Sequence, residues 1–355
     1  MKKDVFKSLD KTTKNNTITY LLVVAAYLIM QLLVTTGSVS SLMKGLLVPL
    51  CVYVIAAISL NLVVGISGEL SLGHAGFMCV GAYSSAFFSV LVGDALPEIV
   101  RFILAILIGA CVAALFGILI GIPVLKLRGD YLAIVTLAFG EIIKNLMNVI
   151  YVGRDSNGLH FSVTDTTALN MEADGQVIIK GALGITGTPK DSTFTIGVIL
   201  ILVALFIILN LINSRGGRAI MAIRDNRIAA ESIGINITKY KLMAFSLSAA
   251  LAGVAGVLYA HNLSTLTVKK FDYNTSILIL VFVVLGGIGN IRGSMIAAVI
   301  LTVLPELLRG LSDYRMLIYA VVLIVMMLFN WAPAAINWRA KLKAKLKTKS
   351  VKEVE

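Results

Sequence analysis

Charge is what this sequence has least of. Only 14% of its 355 residues are Asp, Glu, Lys or Arg, while 58% are hydrophobic. Soluble domains carry about 25% charged residues, so the composition excludes a soluble globular protein and indicates an integral membrane protein. Signatures of catalysis are also missing. There is no GxxxxGK[ST] phosphate loop, no HExxH and no GxSxG. His74, His160 and His261 are too scattered for a metal site. GGIGNIRG, residues 286–293, has the wrong spacing for a dinucleotide fingerprint and sits between two apolar runs. The three cysteines, Cys51, Cys79 and Cys111, lie in apolar segments without a CxxC pair and are expected as buried small hydrophobes. The chain is therefore expected to be no enzyme, and no catalytic residue, metal or cofactor is assigned to it.

The charge that is present is concentrated. Residues 1–17 carry a net +3, residues 214–241 a net +4 and residues 337–355 a net +5, which together make up the whole +12. Positive segments stay on the cytoplasmic side of a membrane, so all three are expected inside. They flank apolar runs and lack interleaved aromatics, which argues against nucleic acid as a partner. The KLKAKLKTK tail suits anionic lipid headgroups. The first apolar run, Ile18 to Thr36, is longer than the roughly 7–15 residues of a signal-peptide core. It is expected to be a retained first helix.

A helix rising about 1.5 Å per residue needs roughly 20 apolar residues to cross the hydrocarbon. Counted so, the chain is all-α and polytopic, with about ten spans: 18–36, 46–64, 75–92, 99–125, 131–151, 193–213, 242–261, 275–290, 294–309 and 316–333. The even number returns both termini to the cytoplasm. The transmembrane domain is then 18–333, between a cytoplasmic segment 1–17 and a basic cytoplasmic tail 334–355. LKLRGD, 125–130, faces inside, and 152–192 is the one sizeable extracytoplasmic loop. Its GQVIIKG run predicts a strand or hairpin.

One stretch breaks the apolar pattern: NLVVGISGELSLGHAGFMCVGAYSSA, residues 61–86, with Gly65, Gly68, Gly73 and Gly76 beside Glu69 and His74. An ionisable group at membrane depth is a functional candidate by default. Irregular backbone survives there only against protein or water. Gly68, Glu69, Ser71, Gly73 and His74 are therefore candidates for lining a translocation pathway. The competing reading puts the stretch at the cytoplasmic interface, with Glu69 facing water. A partial echo joins VVGISGELSLG, 63–73, to VVLGGIGNIRG, 283–293. Gly-interrupted segments in both halves of a transporter often mark the substrate site, and both stretches are expected as breaks or re-entrant turns. Glu141 and Lys144 are spaced to pair along one helix, and Asp130 suits a helix N-terminus. Ser248, Ala252 and Gly256, like Gly117 and Gly121, recur at four-residue spacing and predict close helix packing.

The segment 217–241, GRAIMAIRDNRIAAESIGINITKYK, is rich in helix formers up to Gly234, a residue suited to ending a helix. Arg224, Asp225, Arg227 and Glu231 alternate in sign with Ile and Ala between them, a surface suited to docking in a groove of a partner protein.

SGELSLGHAGFMCVGAY, LRGDYLAIVTLAFGEII, the segment 217–260 and VLGGIGNIRGSMIAA occur in this order within residues 46–333. In these motifs the chain resembles the permease subunits of branched-chain amino-acid ABC importers, the LivM type. The resemblance implies a helical permease in a bacterial or archaeal cytoplasmic membrane, paired with a sister permease. Two cytoplasmic ATPases binding ATP and Mg, and an extracytoplasmic substrate-binding protein, would complete the importer. The implied substrates are leucine, isoleucine and valine, with urea or short amides as the alternative among close relatives. In such importers a Glu-Ala-Ala-x-x-x-Gly pattern docks on the ATPase. Counted back from Gly234, its positions are Ile228, Ala229 and Ala230, so Ile replaces the glutamate and Glu231 follows. Arg224, Asp225, Arg227, Ala229, Ala230, Glu231 and Gly234 are the ATPase-coupling candidates. A self-sufficient secondary transporter would need coupling-ion carboxylates within the spans, and beyond Glu69, Glu141 and Glu306 there are few.

Overall fold

Apolar length fixes most of the helices. The computed structural model describes residues 11–308, apart from 39, 128, 173 and 174, together with scattered positions between 314 and 328. The basic tail, 334–355, and most of the tenth expected span, 316–333, lie outside the described residues.

Helix α1 (Lys11–Thr35) begins ahead of its apolar run, within the segment read as an N-terminal stretch. There follow α2 (Ser41–Asn61), continued by a π-helical turn (Leu62–Ser67), α3 (His74–Val92), α4 (Glu98–Val124), α5 (Asp130–Val149) and α6 (Phe194–Asn213). Two short helices, α7 (Arg215–Asp225) and α8 (Arg227–Ser232), lead into α9 (Ile237–Ala260). Among the described residues, seven helices (α1 to α6 and α9) are long and apolar enough to cross a membrane. The eighth and ninth expected spans form a pair of shorter helices, α10 (Tyr273–Gly286) with 14 residues and α11 (Ile291–Leu307) with 17. At about 1.5 Å per residue they reach roughly 21 and 26 Å, short of the ~30 Å hydrocarbon. Counting apolar residues carried the eighth span to 290, but the backbone turns earlier, with Gly287 and Gly289 at φ +95° and +81°.

Helix α9 forms the centre, packed along α4, α3 and α2. The small-residue spacings are the reason. Gly256 lies against the Met78 backbone on α3, Gly117 on α4 against Ala249, and Gly81 on α3 against Gly253. In lipid, where apolar side chains gain little by leaving the tails, such close approach is a main source of helix association. Cys51 and Cys79 are buried as expected, whereas Cys111 sits on the exposed face of α4. That face packs on nothing among the described residues, so an apolar neighbourhood in sequence did not mean burial.

The helical class carries one exception at one end. A five-stranded antiparallel sheet runs in the order β2-β1-β3-β4-β5, from β1 (Tyr151–Asp155), β2 (Gly158–Ser162), β3 (Gln176–Lys180), β4 (Ile185–Thr186) and β5 (Thr265–Leu266). The strand expected from GQVIIKG is β3. The fifth strand comes from the connector after α9, too short to show a pattern of its own. Tyr83 Oη on α3 donates to Leu266 O (3.4 Å), and the Arg101–Asp191 ion pair (3.1 Å) closes the same end. Helices α7 and α8 lie at the opposite end, beyond the π-helical turn and the start of α9.

Candidate functional site

The break between α2 and α3 is built by close approach. From Cys51 to Ile66 almost every residue of α2 and its π-helical turn is buried. Gly68, at φ +75°, ends the turn in a conformation costly for other residues. Residues 69–73 have no regular structure, and His74 starts α3. At Gly65 a Cβ would overlap Asn61 Oδ1 and the Gly289 backbone. The buried Asn61 joins the two sides: its Oδ1 accepts from Gly289 N–H (2.9 Å) and its Nδ2 donates to Ser294 Oγ (2.8 Å). The two Gly-broken stretches that echo each other in sequence therefore meet backbone to backbone.

Glu69 does not face water. It is 9% exposed and forms an ion pair with Lys241, itself 8% exposed and in the second turn of α9. The Glu69 N–H donates to Val63 O across the Gly68 turn (3.0 Å). Nothing local in the sequence marks Lys241 for this pairing, because it belongs to the positive cluster 214–241.

His74 sits deeper. Its Nε2 faces Ser59 Oγ (3.0 Å) and Ser248 Oγ (3.3 Å). Each hydroxyl donates its one proton to a carbonyl, Ser59 to Ala56 O (2.8 Å) and Ser248 to Ser59 O (2.6 Å). Nε2 is therefore the donor toward the serine oxygens. Among the described residues, the buried His74 Nδ1 and Ser71 Oγ find no hydrogen-bond partner. The amides leading into α3 are covered from neighbouring helices. Leu72 N–H donates to Thr136 Oγ1 on α5 and Ala75 N–H to Ser276 Oγ on α10, both at 3.0 Å. At Gly73 a Cβ would come within 2.5 Å of Thr136 O. Ser248 is halfway along the 24-residue α9. His74 thus lies near mid-span, whereas Glu69 lies near the α7 end. Ser248, read as a packing residue, also forms part of this polar cluster.

The segment after α6 folds as two helices where one was expected up to Gly234. Asn226 adopts φ −152°, which no helix allows, and its side chain instead caps α8 by accepting from Ala229 N–H (3.0 Å). Gly234, at φ +84°, ends α8 as predicted. Ala230 is buried with Ile223 and Ile237, tying α7, α8 and α9 together. Asp225, Ala229, Glu231 and Gly234 are exposed, and Arg227 is half-buried. Ile228 and Ile233 are 81% and 75% exposed, giving α8 an apolar outer surface that charge patterning did not reveal. Arg224 turns the other way, and its Nη1 donates to Gly65 O (2.9 Å). Glu141 and Lys144 form their expected pair (2.8 Å), and Glu141 also accepts from the Tyr273 N–H that starts α10 (3.1 Å).

A bundle of apolar helices, one span broken at mid-depth around buried polar groups and a short helix tied to that break together define a membrane permease. Residues 42–329 match the family described as branched-chain amino acid transport system, permease component, and the chain belongs to that family. It is 35% identical over 311 residues to the high-affinity branched-chain amino acid transport system permease protein LivM of Salmonella typhimurium, covering 85% of this chain and 71% of that protein. The LivM of Escherichia coli matches to the same extent. The ribose import permease protein RbsC of Escherichia coli is 27% identical over 285 residues, 78% of this chain and 81% of its own. No solved structure matches. The chain is thus a LivM-type permease, a transporter component with membrane-spanning helices.

Proposed function

We propose that this chain is the transmembrane permease subunit of an ATP-driven importer for leucine, isoleucine and valine. A sister permease, two cytoplasmic ATPases hydrolysing Mg-ATP and an extracytoplasmic substrate-binding protein complete the assembly. The observation that carries the reading is the broken span. It puts the start of α3 beside buried Ser71 Oγ and His74 Nδ1, unpartnered among the described residues, halfway along α9. Transporters commonly bind substrate at discontinuous helices near the midplane, with a half-helix N-terminus toward a carboxylate. In the present conformation the hydroxyls of Ser276 and Thr136 occupy the α3 amides. Parting of α10 and α5 from α3 frees those N–H groups for a carboxylate. Ser71 and His74 then accept from the ammonium of a zwitterion, and the apolar helix faces around them suit a branched side chain. By the positive-inside rule the basic α7–α8 end is cytoplasmic, so the exposed α8 surface meets the ATPases and the sheet meets the binding protein.

The test is uptake of labelled leucine into vesicles holding this chain with its co-expressed partners, with and without ATP. ATP-dependent accumulation supports the reading. Uptake that persists without any ATPase refutes it in favour of a secondary transporter. Movement of urea but not leucine keeps the architecture and refutes the substrate.

A further inference from the structure

We propose that Arg224 is the positioning residue through which displacement of α7 reaches the broken span, an inference that rests on the importer reading above. An arginine in the last turn of a helix can bond that helix's own last carbonyls. Arg224 instead sends Nη1 to Gly65 O (2.9 Å), on a different helix. The last carbonyls of a helix have no intrahelical partner, and Gly65 O lies in the final turn before the break. The guanidinium thus satisfies a group that α2 leaves open. Its Nε and Nη2 both hold Asp225 Oδ1 (3.0 and 2.8 Å), which fixes the plane of the fork.

The aliphatic stem is also seated. It crosses Gly68, where a Cβ would stand 2.6 Å from Arg224 Cγ. On the other side of the same turn, Gly65 has no room for a Cβ between Asn61 and Gly289. Gly65 is therefore held from two directions: Arg224 on α7 bonds its carbonyl, and the Gly289 backbone of the α10–α11 turn, itself bonded to Asn61, packs against its Cα. Six-residue π-helical turns are rare and cluster at functional positions. When α7 moves, the charge-assisted bond either drags the π-helical turn with it or breaks and strands Gly65 O. Both routes alter residues 68–73 directly.

The assembled transporter in proteoliposomes is assayed for leucine carried per ATP hydrolysed, as wild type, Arg224→Gln, Arg224→Lys and the exposed control Arg218→Gln. Hydrogen exchange of residues 62–70 is followed on each purified chain. Arg224→Gln lowers the ratio about tenfold, the scale of one hydrogen bond to a charged group, and speeds exchange in 62–70. Arg224→Lys, which keeps a charged donor on a long stem, recovers most of both, and Arg218→Gln changes neither. The proposal is overturned by a wild-type ratio in Arg224→Gln. It is equally overturned if uptake and hydrolysis fall together at constant ratio, since Arg224 then serves ATPase docking only. Should the wild type carry leucine without ATP, the importer reading falls, and exchange alone decides the tie: faster in Arg224→Gln upholds it, equal overturns it.

Discussion

Replacing Lys241 with Met leaves the Glu69 carboxylate without its cation in a site where the two residues are only 9% and 8% exposed. Surface ion pairs contribute about 0–1 kcal/mol, but this pair is not at a surface. Removing one member of a buried pair typically costs about 3–5 kcal/mol, because the other charge stays desolvated, whereas replacing both by neutral groups is often close to neutral. Lys241→Met and Glu69→Gln should therefore each destabilise by about that amount, and the double variant by no more than about 1 kcal/mol. The assay is the thermal midpoint of the detergent-purified chain, followed for the wild type, both singles and the double. Two depressed midpoints with recovery in the double confirm a desolvated pair. A Lys241→Met midpoint equal to wild type refutes the reasoning, since it means water reaches Glu69. A double variant as unstable as the two singles summed refutes it as well, because the residues then act independently. The recovered double variant has a second use. If it folds but carries no leucine, the Glu69 carboxylate serves transport; if it carries leucine normally, the pair only holds the break in place.

Gly65→Ala forces a methyl onto Asn61 Oδ1 and the Gly289 backbone, and should destabilise by about 1–3 kcal/mol, as overpacking does, seen as a lowered thermal midpoint. Ser59→Ala removes the nearer partner of His74 Nε2, costing about 1–3 kcal/mol if the ring is left unsatisfied; an unchanged midpoint would show that Ser248 takes over. Ile228→Asp and Ile233→Asp should each weaken ATPase association about tenfold or more, the scale of an interface anchor, in a pull-down against purified ATPase, while the midpoint of the isolated chain holds. In the sheet, burial raises the Asp155 pKa, but bonds from Glu172 N–H, His160 Nε2 and Asn157 N–H outweigh it and hold the carboxyl below its usual value. A lowered folded pKa gives stability that is complete above the unfolded value of about 3.9 and is lost as pH falls through the folded one. The protection of amides across residues 151–162, taken relative to their intrinsic exchange rate at each pH, should therefore fall on acidification below about pH 4, and Asp155→Asn should remove that pH dependence.

Much of the helical bundle was legible because a membrane makes apolar length decisive, and α1 to α6 and α9 follow from it. What length cannot report is where a helix stops inside an apolar run. The α10–α11 turn is set by Gly287 and Gly289 at positive φ within residues as apolar as their neighbours. The same limit hid Asn226, whose side chain splits the docking segment in two by capping α8. At the site, Glu69 and His74 stood out because charge is costly in lipid. Their partners did not, since Lys241, Ser59 and Ser248 look ordinary until α9 and α2 pack against the break. Charge alternation marks Arg224 for docking, yet its guanidinium points toward Gly65 O, a direction no local pattern encodes.

The spacing of Glu69 and His74 along the chain bears on how a cytoplasmic event would reach a substrate. Their partners on α9, Lys241 and Ser248, are seven residues apart, about 10 Å along a helix axis. The five-residue step from Glu69 to His74 spans at most about 17 Å when extended, so the irregular stretch covers that depth at roughly six-tenths of its full reach. A continuous helix would resist local displacement through its own hydrogen bonds, and a long flexible loop would absorb it. A short segment held at both ends does neither. Pinned at one end by Lys241 and Arg224 and at the other by the serines around His74, it must carry a shift of the π-helical turn to mid-membrane depth. Inserting a single glycine after Leu70 should therefore lower leucine carried per ATP while leaving the Glu69–Lys241 pair intact, as judged by the same double-variant midpoints. Full transport with the added residue would show that slack in this stretch is harmless and that the signal takes another route.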